Sequence, residues 1–122
     1  MSETEFQQIR LVLIRHGESV VTVRRIIGGP LSCVGLSDLG RRQSDRLGER
    51  LRETGEVEAT TLYSSAYPRA IETAEIIAPS LGVDVRVDER FGEHDPGPEC
   101  DGMSFAAFVD RYGMPDWHGD PH

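Results

Sequence analysis

The sequence predicts a single α/β domain built on an open, mostly parallel sheet flanked by helices. Apolar, strand-like runs alternate along the chain with segments of helical periodicity, in the order β, α, β, α, β. Parallel strands require crossover connections, which are usually helical and right-handed. The 122 residues suit one small domain, which we place at residues 1–122.

The first predicted strand is Ile9–Arg15, an apolar run that ends at a glycine. A long loop follows it as far as Gly35. Connections of this length inside a compact domain tend to be functional or mobile.

The first predicted helix runs from about Asp38 to Glu53. Ser37 is a suitable N-cap, and Gly55 is a plausible C-cap. Gly40 and Gly48 should weaken the helix slightly. Its apolar side chains fall near one face, which we expect to be buried: Leu36, Leu39, Leu47 and Leu51.

The second predicted strand is Thr60–Ser64, and a helix begins at Pro68. Pro79 should end or kink that helix, because its ring clashes with the carbonyl four residues earlier. Gly82 then turns the chain into the third strand, Val83–Val87.

An acidic loop rich in Gly and Pro follows the third strand, from Glu89 to Gly102. A short helix, Ser104–Tyr112, comes next. Three apolar side chains of this helix are expected to point inward: Phe105, Phe108 and Val109.

The net charge of −8 is unevenly distributed. Residues 1–52 carry nine Arg against six acidic residues, and residues 53–122 carry four Arg against fifteen. This acidity argues against nucleic acid or an anionic membrane as the main partner, but a local arginine pocket still suits a small phosphate ester.

Cysteine content and the terminal sequence favour a cytoplasmic protein. Cys33 and Cys100 match no metal-ligand spacing, and two free thiols are the favoured interpretation over one bridge. The first residues lack the basic start and apolar core of a signal peptide, and no apolar run is long enough to span a bilayer.

Three groups of polar residues follow the predicted strands. Arg15-His16-Gly17 ends the first strand, Arg69 stands in the first turn after the second, and the acidic loop follows the third. Ligands bind beyond the carboxyl ends of parallel strands, so we expect the three groups to meet. An arginine fork suits phosphate oxygens and a neutral imidazole suits attack on phosphorus.

Three motifs in this order resemble the histidine phosphatase superfamily, whose best-known branch is the phosphoglycerate mutases. They are Leu-Ile-Arg-His-Gly-Glu-Ser at residues 13–19, Gly-Leu-Ser-Asp-Leu-Gly-Arg-Arg-Gln at residues 35–43, and Ser-x-x-x-x-Arg-Ala-x-x-Thr-Ala at residues 64–74. The resemblance covers most of residues 9–112. It implies the three-layer α/β/α fold of the phosphoglycerate mutases and chemistry without metal or cofactor.

The resemblance also implies roles for matching residues. His16 would accept the phosphoryl group as a phosphohistidine, and Arg15 and Arg69 would clamp the phosphate oxygens. Glu93 would be the general acid, with Glu89 as the competing candidate. The spacing of Glu93 to Gly97 and Asp101-Gly102 fits the family pattern better, allowing one inserted residue.

Each of these residues also has an ordinary structural interpretation. Arg15 would cap the sheet edge, Arg69 would pair with Glu72 or Thr73 on its own helix, and Glu18 would shape the loop. Three motifs in the right order favour the functional interpretation of His16.

The chain departs from the family pattern at two points. Thr22 stands where mutases usually carry Asn, and its hydroxyl is still able to bind phosphate. The family's second histidine, in a His-Gly pair after a late strand, has no counterpart in the sequence pattern: His118-Gly119 has the dipeptide, but the residues before it are not predicted to form a strand. We therefore expect an N-terminal portion of the domain, incomplete at the C-terminus, whose activity alone is strongly reduced or absent.

The favoured function is a phosphatase acting on a small phosphate ester. A phosphoglycerate mutase-type phosphomutase is one alternative, but Thr22 and the Pro-rich acidic loop do not suggest contacts that would retain and reorient a substrate. A non-catalytic phosphate-binding or interaction module is the other alternative, favoured by the missing histidine and opposed by the intact Arg15, His16, Arg69 and Glu93.

Overall fold

A computed structural model describes residues 8–92 and 95–114 of the chain. Helices and strands alternate through most of this part. In chain order the elements are helix α1 (Val20–Val23), α2 (Asp38–Thr54), strand β1 (Leu62–Ser64), α3 (Pro68–Leu81), β2 (Val85–Val87), a 3₁₀ helix (Glu89–Phe91) and α4 (Phe105–Tyr112). The α1 and 3₁₀ helices lie within segments predicted to be loops.

The two strands β1 and β2 pair in parallel, with Leu62 opposite Val85 and Ser64 opposite Val87. Helix α3 connects them and packs against both. The β-α-β order and the parallel pairing are confirmed, although each strand is shorter than predicted.

The prediction of a strand at Ile9–Arg15 is wrong for this structure. Residues 8–18 form no strand, and in the described part of the chain β1 pairs only with β2. Ile9, Leu11 and Leu13 are 93%, 79% and 87% exposed. A continuous apolar run shows a preference for strand, but a strand forms only where a neighbour accepts its backbone hydrogen bonds.

Helix α2 begins and ends as predicted. The Ser37 hydroxyl accepts a hydrogen bond from the Gly40 amide, and Gly55 ends the helix at φ +60°. The buried face differs from the prediction, because Leu39 is 42% exposed. Small residues line that face instead, together with one leucine: Gly40, Ser44, Gly48 and Leu51.

Pro79 was expected to end or kink helix α3; the helix continues past it to Leu81, so the first of these two alternatives is wrong. Pro79 lies in the last turn, where its missing N–H costs a single helical hydrogen bond. Gly82 then ends the helix in the left-handed conformation at φ +67°.

The core lies largely where α2 packs along α3. Leu36 and Ile77 are each 1% exposed, and Leu51 and Ala74 are also buried. The expected inward position of Phe105 is wrong, since it is 38% exposed, and Phe108 and Val109 are only half-buried. No helix among the described residues is long and apolar enough to cross a bilayer.

Candidate active site

Arg15 and His16 line an open cleft of about 250 Å³ beside α2. Arg15 is exposed and His16 is half-buried. The other lining residues come from the turn after His16, from α2 and from α3: Gly17, Gln43, Ser44, Leu47 and Thr73. The cleft is therefore lined by residues of all three sequence motifs.

The His16 imidazole is held by the backbone that follows it. Its Nδ1 lies 2.6 Å from the Gly17 carbonyl oxygen. A carbonyl oxygen only accepts hydrogen bonds, so Nδ1 carries the proton and donates it. In this tautomer Nε2 holds a lone pair, which is the electron pair that a nucleophilic histidine needs.

The loop after His16 is pinned to both long helices. The Gly17 amide donates to Thr73 Oγ1 of α3 at 3.2 Å, and the Glu18 amide donates to Gln43 Oε1 of α2 at 2.9 Å. The Ser37 hydroxyl, at the N-cap of α2, donates to the Glu18 carboxylate at 2.8 Å. These hydrogen bonds hold the loop at Glu18 against α2, as the structural interpretation of Glu18 predicts.

Two glycines allow this loop to approach α2 closely. A Cβ on Gly17 would lie 2.5 Å from the Gly40 carbonyl oxygen, and a Cβ on Gly40 would lie 2.0 Å from the Glu18 carbonyl oxygen. Ser44 Oγ then donates to the Gly40 carbonyl at 2.9 Å. Gly40, expected only to weaken its helix, is the residue that lets the His16 loop lie against that helix.

Arg69 lies in the first turn of α3 and is 6% exposed. Its Nη1 donates to the Gly28 carbonyl at 3.2 Å, and its guanidinium carbon lies 4.5 Å from the centroid of the Tyr67 ring. Thr73, one turn later, donates its hydroxyl hydrogen to the Arg69 carbonyl and accepts from the Gly17 amide. One threonine therefore links the arginine helix to the His16 loop.

The structural interpretation of Arg69 paired it with Glu72, but the Glu72 carboxylate binds Leu36 and Arg41. Its carboxylate accepts from the Leu36 amide at 2.9 Å and from Arg41 Nε at 2.5 Å. Burial alone would raise the pKa of Glu72, but these two hydrogen bonds outweigh it and the pKa falls below its ordinary value. Glu72 thereby fastens the segment before α2 to α3.

Thr22 lies on α1 and is exposed. Its hydroxyl is 2.8 Å from that of Ser19, the buried N-cap of α1. Thr22 is not among the residues that line the cleft with His16.

The acidic loop is described only in part. Glu93, the preferred acid, lies outside the described residues, as do His94 and His118. Glu89 is exposed in the 3₁₀ helix, after Asp88 at its N-cap. The Arg90 guanidinium and amide hydrogen-bond the Asp88 carboxylate and lower its pKa to about 2.

Sequence reasoning assigned no site role to Gln43, Tyr67 or Thr73. All three lie within the quoted motifs, and the amide of Gln43 and the hydroxyl of Thr73 would suit backbone or phosphate contacts. Among residues 8–92 and 95–114, no cluster of three or more His, Cys, Asp or Glu side chains is arranged to hold a metal ion.

The chain matches a known protein family over most of its length. The profile of the histidine phosphatase superfamily (branch 1) matches residues 11–122. The chain is 41% identical over 88 residues to phosphoglycerate mutase-like protein 4 of Arabidopsis thaliana, and 37% identical over 82 residues to the 2,3-bisphosphoglycerate-dependent phosphoglycerate mutase of Thermoplasma acidophilum. These alignments cover 71% and 67% of this chain but only 37% and 40% of the relatives.

Solved structures give the same result for the fold. Bacillus stearothermophilus YhfR matches with a TM-score of 0.68 at 33% identity, over 79% of this chain and 45% of that one. A mycobacterial glucosyl-3-phosphoglycerate phosphatase in complex with VO₃ matches with a TM-score of 0.68 at 30% identity, over 80% and 44%. These similarities confirm the predicted phosphoglycerate mutase-like α/β fold class.

Proposed function

Because this chain belongs to the histidine phosphatase superfamily (branch 1), we propose that it is a phosphatase that hydrolyses a small phosphate ester through a phosphohistidine on His16. The observation that carries the proposal is the hydrogen bond from His16 Nδ1 to the Gly17 carbonyl. It leaves the Nε2 lone pair available in a cleft that also holds Arg15.

In the first proposed step, His16 Nε2 attacks phosphorus and the bond to the leaving oxygen breaks. Glu93 donates its proton to that oxygen, so the product leaves as an alcohol. In the second step, water attacks the phosphohistidine while the Glu93 carboxylate takes the water proton. The P–N bond breaks, its electron pair returns to Nε2, and inorganic phosphate is released.

We assign charge neutralisation in both steps to Arg15 and Arg69. Phosphoryl transfer is catalysed mainly by positioning and by stabilising charge on the non-bridging oxygens. The buried position of Arg69 and the Thr73 bridge to the His16 loop support its role. Thr22 would add a hydroxyl contact after turning from Ser19, its partner in the structure.

Substituting Glu93 and Glu89 one at a time shows which of the two is the general acid. Glu93→Gln should slow phosphorylation of His16 by an alkyl phosphate by about 10²-fold, the usual contribution of general acid catalysis. An aryl phosphate, whose leaving group needs less protonation, should be affected less. The matched variant Glu89→Gln should leave both rates within about twofold, since the exposed Glu89 has no assigned role. The reverse pattern, measured by quenched-flow labelling, would make Glu89 the acid.

Two further functions compete with the phosphatase. A phosphomutase is favoured by the two named relatives that are mutases or mutase-like. A non-catalytic phosphate-binding module is favoured by the sequence pattern, in which no predicted strand precedes a second His-Gly pair. The whole protein's activity is inferred from a chain that spans about two fifths of those relatives' length.

Incubation with ³²P-labelled phosphate esters, followed by alkaline and acid treatment, tests the proposal. We expect label on the protein that survives alkali and is lost in acid, together with inorganic phosphate in solution. Turnover by this chain should be slow, so the labelled protein is the primary readout. Binding without label would indicate the non-catalytic module, and label passed to an acceptor alcohol instead of water would indicate the mutase.

A further inference from the structure

The Asp101 carboxylate collects four hydrogen bonds from one short segment of the long loop. It accepts from the amides of Gly29 at 3.1 Å, Leu31 at 2.6 Å and Ser32 at 3.0 Å, and from the Ser32 hydroxyl. We call this arrangement the Asp101 clasp. Charge-assisted bonds of this kind are stronger than bonds between neutral groups.

The clasp joins two parts of the chain that are about seventy residues apart. Beside it, the Gly102 amide donates to the Ile27 carbonyl at 2.9 Å, and the Ile27 amide donates to the Met103 carbonyl at 2.7 Å. Burial would raise the pKa of Asp101, but the hydrogen bonds from Ser32, Leu31 and Gly29 outweigh it and lower the pKa. Asp101 is therefore held as a carboxylate.

The clasped segment leads directly to Arg69. Gly28, next to the clasped Gly29, provides the carbonyl that accepts from Arg69 Nη1 at 3.2 Å. There is little room around it: a Cβ on Gly28 would lie 2.5 Å from Val21 Cγ2 and 3.2 Å from Arg69 Nη1. A Cβ on Gly29 would lie 2.5 Å from the Asp101 carboxylate. A shift of the clasp would consequently move the Gly28 carbonyl against the guanidinium.

We infer that Asp101 is a positioning residue, which sets the orientation of the Arg69 guanidinium through the Gly28 carbonyl. The inference rests on the proposed function in so far as Arg69 binds phosphate. The acidic loop would then have two functions, because it is expected to supply the general acid and it also carries Asp101, which orients Arg69.

The test compares Asp101→Asn with Asp101→Glu and with Asp95→Asn. Asp95 is a matched control in the same loop: it is exposed, and its carboxylate accepts from the Gly97 amide within that loop. Both Asn variants remove one negative charge, but only Asp101→Asn turns an amide NH₂ toward backbone N–H groups. We expect Asp101→Asn to lower the rate of His16 labelling and the affinity for orthovanadate by about tenfold, the order expected when orienting charge-assisted hydrogen bonds are lost. Asp95→Asn should change neither, and Asp101→Glu should recover part of both.

A second readout separates this inference from the proposed function. The NMR signal of Arg69 Nε–H reports the guanidinium directly and requires no turnover. It should shift in Asp101→Asn, stay in place in Asp95→Asn and return toward its original position in Asp101→Glu. If the parent chain forms no phosphohistidine but the Arg69 signal follows this pattern, the proposed function fails and the inference stands.

An Arg69 signal and a labelling rate that are the same in Asp101→Asn and Asp95→Asn would overturn the inference. Should Asp101→Asn fail to fold, Ser32→Ala removes one donor and leaves the three amides, and it should give the same changes at smaller amplitude. No change in a folded Ser32→Ala would then count against the clasp.

Discussion

Replacing His16 with Asn should abolish the acid-labile label and reduce phosphate release by at least about 10³-fold, because the reaction then has no nucleophile. Asn keeps a side-chain N–H that is able to reach the Gly17 carbonyl, so the loop should retain its conformation. Single-turnover labelling at high protein concentration, with phosphate release measured in parallel, gives both quantities.

The unfolding temperature of His16→Asn serves as a control, because it shows whether the variant is folded. His16 is half-buried, and the hydrogen bond of its side chain is to the adjacent residue, so His16→Asn should unfold at nearly the parent temperature. Imidazole added to the smaller variant His16→Ala should restore part of the phosphate release by serving as a soluble acceptor. Undiminished label in a folded His16→Asn would place the phosphoryl group on another residue and exclude the proposed mechanism.

Replacing Gly40 with Ala should destabilise the protein, although alanine is the better helix former. An alanine in a helix normally adds up to about 1 kcal/mol over glycine, and Gly40 is the third residue of α2. Here the new methyl group would lie 2.0 Å from the Glu18 carbonyl oxygen, and relieving such overlap in a packed site costs about 3 kcal/mol. The net loss should lower the unfolding midpoint by roughly 10 °C, measured by circular dichroism.

Gly48→Ala is the matched control on the same helix. Its Cβ would meet Ser80 Oγ at 3.1 Å, which is the end of a small side chain that is able to rotate. Gly48→Ala should therefore be neutral or stabilising by up to about 1 kcal/mol. Equal effects of the two substitutions would mean that the His16 loop does not lie against Gly40. Labelling of His16 should also fall in Gly40→Ala and persist in Gly48→Ala.

Elements whose signals lie within a few residues were predictable from the sequence. Ser37 and Gly55 act on the adjacent turns of α2, so the bounds of that helix could be predicted within about a residue. The parallel β1–α3–β2 unit followed from periodicity and from Gly82. Ile9–Arg15 shows the limit of this reasoning, since its pattern was correct for a strand but pairing depends on neighbours far along the chain.

In the candidate site, too, residues within a motif could be predicted from the sequence, whereas contacts between distant parts of the chain could not. His16 and Arg69 stood out because motifs mark them, and in the structure their side chains hydrogen-bond the carbonyls of Gly17 and Gly28. The link from Gly17 to Thr73 spans 56 residues, and no local pattern indicates which donor will meet which acceptor over that distance. The position of Gly40 against Glu18 was missed for the same reason, because propensity describes a helix in isolation.

The exposed apolar side chains of Ile9, Leu11 and Leu13 determine how the protein should be handled. Exposed apolar side chains of this size favour association between copies of the chain, which increases with concentration. Reaction rates and unfolding temperatures would then depend on protein concentration. The parent chain and its variants should therefore be compared at several concentrations, with light scattering recorded for each sample.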